Sequence, residues 1–105
     1  MFKVKLSVVH HLGSNAMFVA DKVIELPFAP FPELCLNLGN GSNTFCDDFN
    51  ISEVFWETET KMFVCLAETW RYDSLDELME VKANFLKGGW TIGHQKPETE
   101  TRKMP

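Results

Sequence analysis

This sequence predicts an α+β fold: an antiparallel, strongly twisted sheet of about five or six strands with one C-terminal helix packed on it. Three observations carry that reading. Ser74 to Trp90 (SLDELMEVKANFLKGGW) has the start, body and stop of a helix. Ile51 to Arg71 alternates like two strands around a turn. Phe2, Val4, Leu6 and Val8 alternate with Lys3, Lys5 and Ser7, the period of a half-buried strand.

After that first strand, His11 to Asn15 (HLGSN) reads as a turn, and Ala16 to Leu26 as a second strand. The polar pair Asp21-Lys22 interrupts it, as a bulge would. Leu26 to Glu33 (LPFAPFPE) is different in kind. Pro27, Pro30 and Pro32 remove ladder donors and bias their neighbours to extended geometry, so an irregular connector is expected, not a central strand. Leu34, Leu36 and Leu38 resume a short strand, which meets Asn40-Gly41, a hairpin signal. Thr44 to Asn50 has no clear period.

Ile51 to Thr58 and Lys61 to Arg71 form the clearest hairpin, turning at Glu59-Thr60. The register that keeps its apolar faces in phase sets Trp56 opposite Phe63 and Val54 opposite Cys65 on one face. On the other, Phe55 lies opposite Val64 and Glu53 near Leu66. Both faces are then apolar, and one helix covers only one of them. Phe55 and Val64 therefore mark a candidate homodimer interface, unless the N-terminal strands and the proline segment fold over that face.

In the helix, Ser74 and Glu77 form an S-x-x-E capping box, and Gly88-Gly89 supplies the stop. At ~100° per residue, Leu75, Leu78, Met79, Val81, Phe85 and Leu86 fall within an arc of about 160°. Lys82 lies near its middle. Either its stem packs on the sheet while the ammonium reaches an edge, or it meets a carboxylate or an anionic ligand. Trp90-Thr91-Ile92 adds a short edge strand, and residues 95–105 (QKPETETRKMP) form a mobile polar tail, leaving residues 1–94 as a single domain.

Composition narrows the partners. A 45% hydrophobic share with nine Phe and three Trp belongs to a packed globular chain. Fifteen acidic against ten basic side chains give a net charge of −5, which disfavours nucleic acid and anionic membranes. No apolar run approaches the ~20 residues of a membrane span, and the N-terminus is unlike a signal peptide, so a cytoplasmic protein is expected. Three cysteines, Cys35, Cys46 and Cys65, without a C-x-x-C pair, fit reduced and mostly buried thiols.

No constellation specifies a reaction. His10-His11, His94 and the cysteines lack metal-ligand spacing, and adjacent strand histidines point to opposite faces. Asp47-Asp48, Glu53, Glu57, Glu59 and Glu68 read as the solvated acids of an acidic protein before they read as a general acid–base pair. No catalytic residue, metal site or cofactor is assigned. Phe28, Phe31, Trp70 and Tyr72 lie at element ends, where aromatics plug a core or rim a pocket.

Ile24-Glu25-Leu26-Pro27-Phe28-Ala29-Pro30-Phe31, then Val54-Phe55-Trp56 with Phe63-Val64-Cys65-Leu66, then the helix ending Gly88-Gly89-Trp90, together resemble small bacterial proteins carried on mobile integron gene cassettes, many without assigned function. Glu33 stands where glycine is expected after the proline run. The resemblance spans Ile24 to Gly93 and implies a bacterial, cytosolic accessory protein. The leading expectation is a non-catalytic binding or protein-interaction module, homodimeric through the uncovered sheet face. The alternative is a binding protein for a small anionic ligand, with a pocket between helix and sheet that includes Lys82, Phe31, Trp70 and Tyr72. An enzyme and an acidic antitoxin-like inhibitor rank below both.

Overall fold

Alternating apolar residues at the N-terminus make strand β1 (Phe2–Leu12), which turns at Gly13-Ser14 into β2 (Asn15–Leu26). The computed structural model describes residues 1–38 and 48–94. The hairpin signal at Asn40-Gly41, Cys46, and the tail at 95–105 lie outside the described residues. The remaining elements are β3 (Cys35–Asn37), β4 (Asp48–Asn50), β5 (Glu53–Glu57), β6 (Met62–Leu66), β7 (Trp70–Tyr72), helix α1 (Leu75–Lys87) and β8 (Thr91–His94).

The sheet is mixed, which corrects the expectation of an antiparallel one. Its order is β5-β6-β1-β2-β8, with β7 also on β1. β1 runs antiparallel to β2 but parallel to both β6 and β7, which follow one another along its free edge. Period-two patterning says which residues share a face and nothing about strand direction. Direction is set here by the long crossover between β2 and β5, which carries the proline segment and the small β3–β4 ribbon.

The β5–β6 hairpin pairs Trp56 with Phe63, Phe55 with Val64, Val54 with Cys65 and Glu53 with Leu66. Thr58 to Lys61 make the turn, with Lys61 at φ 59°. The strand expected to continue to Arg71 breaks at Ala67–Thr69. Between the pairs Ser7–Leu66 and His10–Trp70, β1 advances three residues while its partner advances four, so one residue bulges out. No bulge forms at Asp21-Lys22, whose pairing with Ser7 and Leu6 is regular; the shift lies at His10/His11 instead.

Helix α1 begins where Ser74 Oγ accepts the Glu77 N–H at 3.3 Å. It ends at Gly88, whose N–H reaches the Asn84 and Phe85 carbonyls, and Gly89 follows at φ 89°. Lys22 Nζ donates to the Gly88 carbonyl at 2.7 Å. A strand lysine thus caps the negative end of the helix, which is why a charge is tolerated in mid-strand.

Leu78, Val81 and Phe85 are the buried stripe of α1. Leu75, Met79 and Leu86 are about half exposed, so the apolar arc is wider than the face that packs. One face of the sheet carries Val4, Leu6, Val8, His10, Phe18, Ala20 and Cys65, and there α1 and the β3–β4 ribbon close a single core with Leu36, Phe49, Ile51 and Trp90. The other face is more open: Phe55 and Val23 are about half exposed there, although Ser7 and Val64 are buried. The N-terminal strands are neighbours of the β5–β6 hairpin within one sheet, not a layer over it. None of the described helices is long and apolar enough to cross a membrane.

Candidate functional site

Where pairing between β1 and the β6–β7 strand lapses, the sheet opens into a cleft. Its volume is about 580 Å³, in the range of small-ligand sites. The lining brings Ala67, Glu68 and Thr69 of the interrupted strand together with Asp48 to Ser52 of the β4–β5 chain and with Trp70 and Trp90. Backbone pairing fixes the mouth: Glu33 N–H donates to the Ile51 carbonyl at 2.7 Å, and Ser52 N–H to the Leu66 carbonyl at 2.7 Å.

The floor is apolar and the rim is not. Val8, Phe49, Ile51, Phe85 and Trp90 are buried, whereas Glu33, Asp48, Asn50, Ser52, Glu68 and Thr69 are exposed. Among the described residues that line the cleft, three are acidic and none is basic. Glu33 sits at φ 73°, a left-handed conformation that disfavours any residue with a Cβ. That is the position at which the sequence leads one to expect glycine. Trp90 is 3% exposed, and its indole N–H has no acceptor among the described residues.

Behind the floor lies His10, which is fully buried. Its ring stacks on Phe18 at 4.4 Å and meets the edges of Phe85 and Trp70 at 4.8 and 5.3 Å. Nδ1 lies 2.9 Å from the Tyr72 hydroxyl, and Nε2 has no partner. Burial among uncharged rings lowers its pKa from 6.5 to about 4, so the imidazole is neutral near pH 7. Cys65, also fully buried, has its thiol pushed up to about 11 by the same desolvation. Neither is reachable from the cleft, so neither offers a nucleophile or base to a ligand there.

Of the four residues expected at a ligand site, Lys82, Phe31, Trp70 and Tyr72, Trp70 alone lines the cleft. Tyr72 is buried beneath it, held through His10. Phe31 is half exposed and pairs with Phe28 at 6.4 Å, outside the cleft lining. Lys82 is half buried, its ammonium 5.9 Å over the Phe18 ring, and it too lies outside that lining. Phe55 is 47% exposed on the more open face, while Val64 beside it is already shielded at 3%. Both described cysteines are free, Cys65 buried and Cys35 exposed. The sequence weighs His10 only as a metal ligand, although it continues the buried series Val4, Leu6, Val8.

Among the described residues no group of three or more His, Cys, Asp or Glu side chains is placed to hold a metal ion. No protein-family model matches this chain, and no curated protein or solved structure does either. The cleft must be read from its own chemistry.

Proposed function

We propose that this chain is a non-catalytic binding module, cytoplasmic and carried on a mobile bacterial gene cassette, whose cleft takes a small ligand. One observation supports the reading above others: a cavity of about 580 Å³ with an apolar floor and a polar mouth, where a filled core would leave none. The cassette origin and cellular location rest on the resemblance over Ile24 to Gly93. Among the described residues the cleft has no cationic side chain, which argues against the small anion that Lys82 suggested.

Trp70 and Trp90 make the test direct. Titration of a fragment library should quench or shift tryptophan emission for some members and raise the melting temperature in parallel. Trp70→Ala should weaken those ligands at least tenfold with the fold intact. If no fragment at millimolar concentration changes emission or melting, the ligand-binding reading fails.

A second reading, self-association, is favoured by the more open sheet face. There Phe55 and Val23 are 47% and 52% exposed, with Val9, Val19 and Leu66 half buried between them. Lys3 and Lys5 on β1 are flanked by Glu25 on β2 and by Glu53 and Glu57 on β5, so the face carries both signs and suits a second copy of itself. Such a contact would bury about 800 Å² per partner. Sedimentation should show a dimer at micromolar concentration that Phe55→Glu converts to a 12.0 kDa monomer; a wild-type monomer overturns it.

A further inference from the structure

We propose that the cleft is selective for an organic cation, an ammonium or guanidinium group on an apolar body. This rests on the reading of the cleft as a ligand site and names the class of ligand. The floor of Val8, Phe49, Ile51, Phe85 and Trp90 removes apolar surface from water and has no charge of its own. At the mouth, Glu33, Asp48 and Glu68 are the charged groups among the described lining residues, and all three are acidic. A ligand carboxylate or phosphate would enter against that field, whereas an ammonium would be drawn by it.

The aromatic lining points the same way. Trp70, half buried in that lining, brings an indole ring, the strongest of the side-chain π-faces for a cation, into the same cleft as the carboxylates. Trp90 is already engaged within the protein, with Phe49 stacked at 6.0 Å and the Lys22 ammonium 5.9 Å from its ring centroid, so Trp70 is the indole left for a ligand. The acids at the mouth include one held at a conformational cost. Glu33 keeps a carboxylate at the mouth in a conformation where glycine is free of strain.

The experiment uses three probes of one size on the full chain: 3-phenylpropylammonium, 3-phenylpropanol and 3-phenylpropanoate, titrated by calorimetry at low salt. The ammonium should bind at least tenfold tighter than the alcohol, and the carboxylate more weakly than either. Asp48→Asn with Glu68→Gln, both exposed positions, should erase the preference for the ammonium and leave the alcohol unchanged. Trp70→Ala should weaken ammonium and alcohol together, which locates the binding in the cleft. Equal affinity for ammonium and alcohol, or tighter binding of the carboxylate, overturns the cation assignment while the cleft remains a ligand site. No binding of any of the three, with no fragment hit either, overturns both.

Discussion

The two faces of the central sheet are built from the same strands and differ in everything else. On one, Val4, Leu6, Val8, His10, Phe18, Ala20 and Cys65 are all at most 2% exposed beneath the helix and the β3–β4 ribbon. On the other, the alternate residues Lys3, Lys5, Val9, Val19, Val23 and Phe55 range from half buried to open. Both faces have apolar residues in period two. What separates them is the placement of the crossover, and with it the location of the cleft. Pairing along β1 lapses at Ala67–Thr69, the ribbon lies over the same side, and the core is left unfilled between them.

The largest test of this comparison is truncation on each face. Phe85 is 1% exposed and touches His10, Trp70 and Trp90. Phe85→Ala should cost about 3–5 kcal/mol, as removal of a fully buried ring does. Val23→Ala on the open face, at 52% exposure, should change stability by about 0.5 kcal/mol or less. Urea denaturation of the two variants measures both. Similar losses would mean that the open face is covered in solution, which would sharpen the case for the dimer.

A pH series probes the covered face from within. The folded chain holds His10 neutral down to about pH 4, while an unfolded histidine takes up a proton near pH 6.5. Between those values the unfolded chain binds more protons than the folded one, so stability rises with pH. His10's contribution is complete above pH 6.5 and is lost as pH falls through the window to 4, by about 3 kcal/mol. His10→Phe keeps a ring against Phe18 and removes the titration. The difference between the two denaturation series isolates the histidine from the carboxylates, and parallel series would show that His10 is not excluded from water.

Much of this covered face was legible in the sequence, and the reason is local. The register of β5–β6 follows from keeping two apolar series in phase, and pairs Trp56 with Phe63 as that argument requires. Ser74, Glu77, Gly88 and Gly89 stand at the ends of α1 because caps are read within a single turn. What failed is non-local. Parallel pairing of β1 with β6 and β7 has no signature in period-two patterning, and the cleft is a product of that pairing. Its acids, Glu33, Asp48 and Glu68, are exposed loop or strand-end residues that look like any solvated charge until the fold brings them to one mouth. Glu33 carried the one usable hint, an acid where glycine would be easier. Lys22 reads as an interruption of its strand because its partner, the Gly88 carbonyl, is far along the chain.

The smallest effect expected is at Lys82, and it decides between the two readings of that residue. A lysine within an apolar arc either needs a carboxylate or ligand for its charge, or extends past the packed surface with only its stem covered. The structure shows a half-buried side chain whose ammonium lies 5.9 Å over the Phe18 ring, a residue itself 1% exposed. The stem covers the ring, the charge gains a weak attraction to its face, and the cleft lies elsewhere. Lys82→Met keeps most of the covering hydrocarbon and removes that attraction. Stability should therefore move by about 0.5 kcal/mol or less in either direction, and the phenylpropylammonium affinity should stay the same. A loss of about 2 kcal/mol or more would mean that the ammonium holds a structural partner. A change in affinity without loss of stability would extend the ligand site across the helix, to the place where the sequence alone had put it.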